Sequence, residues 1–293
     1  MKTGLVMEGG AMRGMFTAGV IDIWMENGID FDGAIGISAG AVFGCNIKSR
    51  QIGRVIRYNK RFCRNPKYCS LKSWIKTGDL YGADFCYREI PDKLDPFDVE
   101  TYRKNPMKFY VGATDVDTGK PVYFRCDTGD AEDIKKMQAS ASMPIVSRTV
   151  NIEGHRLLDG GMVDPIPLKF MQRKGYDRNV VLLTQPKGYR KKKSKGAGML
   201  HFLTRKYPAL AHDMDIRFEI YNRQLDEVER QEKEGSILAI RPPKALDIGK
   251  TEKNPKELER VYQIGRQEGQ KTLDQVREFL ILQEASIPGA IRV

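Results

Sequence analysis

Ser38 lies in Gly36-Ile37-Ser38-Ala39-Gly40, which fits GxSxG. In a nucleophile elbow, small flanking residues let a strand turn sharply into a helix and expose the serine hydroxyl at the helix N-terminus. Such a pentapeptide arises by chance in roughly one chain in ten of this length, so its flanking elements decide what it means. A serine also needs a base, and histidine is the usual one because it titrates near neutrality. The chain has three histidines, His155, His201 and His212. His155 falls in a predicted hairpin turn and the other two in a polar C-terminal stretch, so none stands where a base would be expected. Asp159-Gly160-Gly161 puts a carboxylate at a strand end, beside two residues that let the backbone turn sharply. Read alone, Asp-Gly is more often an ordinary tight turn.

A third element is Glu8-Gly9-Gly10-Ala11-Met12-Arg13-Gly14, a glycine-rich turn between a strand and a helix. Its free backbone N–H groups can receive an anion. It lacks the Lys-Ser/Thr of a P-loop and does not fit GxGxxG, so no nucleotide cofactor is expected. An oxyanion hole remains, in which Gly9 and Gly10 allow close approach, Ala11 can donate its N–H, and Arg13 adds positive charge beside a developing alkoxide.

The elements that must carry these residues are legible in part. Thr3 to Met7 reads as a short strand, and the helix after it begins near Gly14. Phe16, Val20, Ile23 and Trp24 share one face of that helix, and Asn27-Gly28 stops it. Phe31 to Ile37 reads as a second strand, with helical spacing resuming after Ser38. Two strand-turn-helix units in succession indicate an α/β sheet with parallel pairing. Residues 54–97 are mixed and basic; Tyr68, Trp74, Tyr81, Phe85 and Tyr87 form either a substrate-facing cap or local core. Phe109 to Asp115 and Pro121 to Arg125 read as one hairpin, and Thr149 to Ile152 with Arg156 to Leu158 as a second that delivers Asp159. Between them, Met137 to Met143 suits a tightly packed helix end. Asn179 to Leu183 is a buried-strand run. After Gln185 come a basic loop, a polar helix from Met199 to Glu234, a strand from Ser236 to Ile240 and a last helix from Asn254 to Gln283. The division expected is a catalytic domain over 3–185 and a mostly helical extension over 186–293 packed on the core.

Composition narrows the class. With 293 residues, 41% hydrophobic, the chain can bury a full core. The net charge of +11 favours anionic partners. Its most basic run, Arg190 to Lys195, has no interleaved aromatics, so membrane or an acidic substrate is expected rather than nucleic acid. The five cysteines, Cys45, Cys63, Cys69, Cys86 and Cys126, show neither CxxC pairing nor histidines at metal-ligand spacing. Reduced thiols and no metal site follow. No run of about 18 apolar residues occurs, and Glu8 and Arg13 break any apolar signal core. Cytoplasmic residence with transient contact at an anionic membrane is the expectation; oligomeric state is left open.

The glycine turn, the GxSxG and the Asp-Gly-Gly occur in the order found in the patatin-like phospholipase family, which residues 3–185 resemble. Ala139-Ser140-Ala141-Ser142-Met143-Pro144 is also similar to that family. The resemblance implies a three-layer α/β/α fold with a mainly parallel sheet, and a catalytic dyad in which Ser38 attacks an ester carbonyl and Asp159 takes its proton. It implies an oxyanion hole at Gly9, Gly10, Ala11 and Arg13, with Gly14, Gly36, Gly40, Gly160 and Gly161 supporting the turns, and no cofactor. Ala11 stands where many members carry glycine, and Asp164 where asparagine is frequent. The activity implied is lipid acyl hydrolysis. Alternatives are a soluble carboxylesterase or thioesterase with the same dyad, or a catalytically silent protein that binds membranes peripherally.

Overall fold

The computed structural model describes residues 1–193, 201, 204–205 and 207–281. Strand β1 (Lys2–Met7) runs through a tight turn into helix α1 (Gly14–Glu26), and β2 (Gly33–Ile37) runs through Ser38 into the short α2 (Ala39–Val42). β2 starts two residues later than its apolar run, because the Asp32 carboxylate accepts from the Thr3 N–H at 2.7 Å and ties the preceding turn to β1. The stretch without a sequence assignment holds α3 (Arg54–Phe62), α4 (Leu71–Thr77) and a wide π-type helix (Phe85–Leu94), followed by α5 (Val99–Lys104).

β3 (Lys108–Asp115) and β4 (Pro121–Arg125) form an antiparallel hairpin, as do β5 (Val150–Ile152) and β6 (His155–Asp159). Between the hairpins lies α6 (Ala131–Ala141), and after them come α7 (Leu168–Arg173) and β7 (Tyr176–Leu182). The sheet order is β5-β6-β3-β2-β1-β7-β8 with β4 on β3, and β8 (Ile237–Ile240) pairs in parallel with β7. The sheet therefore does not end at residue 185; the C-terminal part supplies its edge strand.

Alternation along the central strands sends side chains to two faces. Leu5, Met7, Val180 and Leu182 point into a core shared with α1, α3 and α6, while Val6, Val181 and Leu183 point to the other side. There they meet Phe170 and Met171 of α7, and Tyr221, Leu225 and Val228 of α8 (Pro208–Lys233). The result is a mixed α/β fold with helices on both faces of the sheet and a helical C-terminal region.

Of the polar helix expected from Met199, His201 and Thr204 are helical, and an unbroken helix runs from Pro208, a residue suited to the first helical turn. Of that expectation, residues 199–200, 202–203 and 206 lie outside the described residues, as do 194–195 of the basic run and 282–283 of the last helix. That last helix is two: α9 (Pro255–Lys271) and α10 (Leu273–Ile281), divided at Thr272, whose hydroxyl turns back to the Glu268 carbonyl at 2.7 Å.

α9 lies directly on α1. A Cβ on Gly265 would overlap the Phe16 carbonyl, and one on Gly19 would overlap the Tyr262 carbonyl, so the two backbones touch. The Tyr262 hydroxyl donates to buried Asp22 at 2.6 Å across the same seam. Because the obstructing atoms are backbone, the seam cannot relax cheaply. Gly265→Ala is expected to destabilise the fold by about 2 kcal/mol despite its better helix propensity. Urea unfolding measures this, and an unchanged midpoint would show that the seam has slack.

Candidate active site

Ser38 sits between β2 and α2 with φ +54° and ψ −120°, a conformation that is strained for any residue with a side chain. The turn fits only because its flanks are glycine: a Cβ on Gly36 would strike the Gly40 carbonyl, and one on Gly40 the Met7 carbonyl. The strain aims the hydroxyl outward, and Ser38 Oγ donates to Asp159 Oδ2 at 2.6 Å. The Ser38 N–H donates to Ser140 Oγ at 2.9 Å, and Ser140 Oγ donates to the Gly112 carbonyl at 2.6 Å. The small residues ending α6 are there to let this hydroxyl bridge two strands, a role the sequence did not mark.

Asp159 ends β6 and is 7% exposed. Its Oδ1 accepts from the Gly161 N–H at 2.7 Å, its own N–H donates to the Ser142 carbonyl at 2.8 Å, and its carbonyl accepts from Thr114 Oγ1 at 2.8 Å. Gly160 is required because a Cβ there would overlap the Gly112 carbonyl. Burial raises the Asp159 pKa above the ordinary carboxylate value, opposed by the Ser38 hydroxyl, the Gly161 N–H, Arg217 and Lys250. The carboxylate is thus a stronger base than one in water, yet one still held in contact with its serine.

The glycine turn lies against the elbow. A Cβ on Gly9 would come 2.9 Å from Ser38 Cβ, one on Gly10 2.7 Å from Thr184 Oγ1, and one on Gly14 2.8 Å from Ala39 Cβ. Ala11 takes φ +48°, the left-handed conformation that favours glycine. Among the described residues, the N–H groups of Gly9, Gly10 and Ala11 have no protein acceptor. Neither has that of Ala39, at the start of α2, which the sequence reading passed over. The Arg13 N–H is spent on the Gly10 carbonyl at 3.1 Å, and its Nε donates to Thr184 Oγ1 at 3.3 Å. Arg13 therefore contributes its guanidinium charge to the turn and no free backbone N–H. Glu8, 1% exposed, anchors the turn from beneath: its carboxylate accepts from the Thr184 N–H at 2.6 Å and the Tyr221 hydroxyl at 2.6 Å.

The three histidines lie elsewhere. His155 Nδ1 pairs with Asp115 at 2.5 Å, His201 Nδ1 pairs with Asp215 at 2.8 Å, and His212 is exposed. None contacts Ser38. Among the described residues there is no cluster of side chains arranged to hold a metal ion.

A mainly apolar cavity of about 920 Å³, its open mouth included, has Ser38 in its wall. Tyr68, Tyr81 and Tyr87 line it with Met12, Tyr58 and Phe97. The candidates Tyr68, Trp74, Tyr81, Phe85 and Tyr87 thus divide: three face the cavity, Phe85 packs edge-on against Phe62 at 5.4 Å in the core, and Trp74 is on the surface. Cys45 and Cys86 also line the cavity as free thiols. A hydroxyl in contact with a desolvated carboxylate, beside open N–H donors and an apolar cavity, can perform acyl transfer.

The chain belongs to the patatin-like phospholipase family, which matches residues 5–171. A second match, to Domain of unknown function (DUF6363), covers residues 207–281. The chain is similar to the uncharacterized protein YjjU of Escherichia coli, 31% identical over 63% of this chain and 52% of that protein. It is similar to the uncharacterized NTE family protein Rv1063c of Mycobacterium tuberculosis, 28% identical over 57% of this chain and 44% of the relative. Lysophospholipase nte1 of Aspergillus oryzae is 24% identical over 98% of this chain, a match covering 18% of that longer protein. The chain spans about half the length of the first two relatives.

A carboxylate held above its ordinary value in contact with a serine hydroxyl predicts an acid limb. The reactivity of Ser38 toward a fluorophosphonate should fall as pH drops through the Asp159 pKa, with a midpoint above 3.8, because protonated Asp159 cannot take the serine proton. Labelling rates across pH measure this. A rate that stays flat down to 3.8 would remove Asp159 from control of the serine.

Proposed function

We propose that the protein is a lipid acyl hydrolase that uses Ser38 as nucleophile and Asp159 as general base. The observation carrying this is the 2.6 Å hydrogen bond from Ser38 Oγ to Asp159 Oδ2 at the wall of an apolar cavity. Membership of the patatin-like phospholipase family and likeness to a lysophospholipase support it.

The acyl chain lies in the cavity, with its ester carbonyl over Ser38. Ser38 Oγ attacks the carbonyl carbon while its proton passes to Asp159 Oδ2. The tetrahedral oxyanion is met by the N–H groups of Gly9, Gly10 and Ala11. Collapse breaks the ester C–O bond, and the departing alcohol takes the proton from Asp159. Water then attacks the acyl-serine, gives its proton to Asp159, and the released serine recovers it as the fatty acid leaves.

Contact with a lipid surface is supported by α4 at the cavity rim. Leu71 and Ile75 are 68% and 81% exposed, beside exposed Lys72 and Lys76. On the same helix Trp74 Nε1 donates to the Ile145 carbonyl at 3.1 Å, two residues past Met143 of the cavity wall. Apolar side chains interleaved with lysines suit the interface of an anionic bilayer. Among the described residues, no helix is long and apolar enough to cross a membrane.

The test is fluorophosphonate labelling with hydrolysis of short- and long-chain esters. Wild type should label and turn over, and Ser38→Ala and Asp159→Asn should each lose at least about a hundredfold. A wild type that neither labels nor hydrolyses overturns the enzyme, and an active Asp159→Asn overturns the dyad. Leu71→Asp with Ile75→Asp should lower hydrolysis of substrate in anionic vesicles at least about tenfold while sparing a soluble ester, because burying even one aliphatic side chain contributes about 2 kcal/mol. Equal rates on vesicles would clear α4 of any membrane role.

A further inference from the structure

Four cations gather beside the dyad without a carboxylate of their own. Arg13 comes from the glycine turn; Lys191, Arg217 and Lys250 come from the C-terminal part. Arg217 Nε donates at 2.7 Å to the carbonyl of Gly161, the residue whose N–H holds Asp159. Lys191 Nζ stands 5.4 Å from the ring centroid of Tyr221, whose hydroxyl holds Glu8 under the turn. The carbonyl of Lys250 accepts from the hydroxyl of Tyr81, a residue of the cavity wall, at 2.9 Å, while its ammonium feels the Asp159 charge. The four also sense one another. Burial, then Arg217, Arg13 and Lys250, press Lys191 down to about 8, and desolvation, then Arg217 and Arg13, hold Lys250 below its ordinary value.

Among the described residues this positive charge is offset only in part, by Glu8 and Asp159. The carboxylates nearest to it are committed, Glu8 to Thr184 and Tyr221, Asp159 to Ser38 and Gly161. Among the described residues none of the four cations forms an ion pair, whereas neighbouring Arg190 is paired with both Asp226 and Glu229. Crowding like charges with only partial counter-charge is unfavourable unless an anion relieves it. None of the four lines the apolar cavity. Tail and anion therefore have separate seats that meet at Ser38.

We propose that Arg13, Lys191, Arg217 and Lys250 form the seat for the phosphate-bearing head group of the lipid whose acyl ester Ser38 cleaves. This rests on the hydrolase reading above and deepens it by naming the residues that would read the head group. Guanidinium forks and ammonium groups are the side chains that bind phosphate oxygens. Three of the four come from outside residues 5–171, and Arg217 and Lys250 lie within 207–281. The region of unknown function is then the head-group reader of the active site.

The experiment compares a monomeric short-chain acylglycerol 3-phosphate with the same acylglycerol lacking phosphate, on the full chain at concentrations below micelle formation. Wild type should prefer the phosphate by about tenfold or more in kcat/KM, and the preference should shrink at high salt. Lys191→Gln with Lys250→Gln should reduce that ratio about tenfold, and Lys191→Arg with Lys250→Arg should restore it; because Lys250 also acts on Asp159, the ratio of the two esters is read rather than either rate, and an unchanged circular dichroism spectrum reports an intact fold in each variant. An unchanged ratio in the glutamine variant overturns the proposal. So does a loss confined to vesicle substrate, which would make the cluster a bilayer dock. A wild type that labels but hydrolyses both esters equally sinks the head-group seat alone; one that does not label sinks the hydrolase reading and the seat with it.

Discussion

A carboxylate can serve a serine as base only if the two are in contact and shielded from water, and the centre of the sheet is organised around that requirement. β3 supplies the ruler. Ile37 pairs with Gly112 in the parallel ladder, and Ala113 pairs with Asp159 in the antiparallel one. Adjacent residues of one strand therefore set the register of both Ser38 and Asp159. Gly112 and Gly160 keep that meeting tight, since a Cβ on Gly112 would overlap Ile37 and one on Gly160 would overlap the Gly112 carbonyl. Ser140 ties the same two strands again through its hydroxyl.

Burial raises the Asp159 pKa above the ordinary carboxylate value. The Ser38 hydroxyl, the Gly161 N–H, Arg217 and Lys250 all pull the other way. The balance between desolvation and these contacts decides whether the carboxylate is ionised when it is needed. Two of the four opposing groups belong to the C-terminal part, so the chemistry assigned to the dyad depends on residues far from it in sequence.

That dependence explains what could be read from the sequence. The glycine turn, the elbow and both hairpins are local patterns, in which turn chemistry and side-chain period sit within a dozen residues, and each appears in the structure as an element. Ser38 and Asp159 were visible as residue types, whereas their contact depends on the β3 register, which no local pattern encodes. The aromatics of residues 54–97 could not be sorted into cavity wall, core and surface, because burial there is set by α3 packing against α1 and α9 and by the π-type helix packing against α6. The composition change after Gln185 marked a loop, not the end of the sheet, and β8 was read as part of an extension. Arg13, Lys191, Arg217 and Lys250 are spread over most of the chain and carry no spacing that could group them.

The C-terminal part is consequently difficult to regard as an appendage. β8 covers the edge of β7, which would otherwise present unpaired backbone groups along a central parallel strand. α9 meets α1 backbone to backbone through Gly19 and Gly265, and α1 is the helix into which the glycine turn runs. α8 carries both Tyr221, which holds Glu8 beneath that turn, and Arg217, which holds the carbonyl of Gly161. A single helix thus braces both the glycine turn and the loop after Asp159. Displacing α8 would loosen both halves of the site at once while leaving the Ser38 elbow, built from β2 and α2, in place.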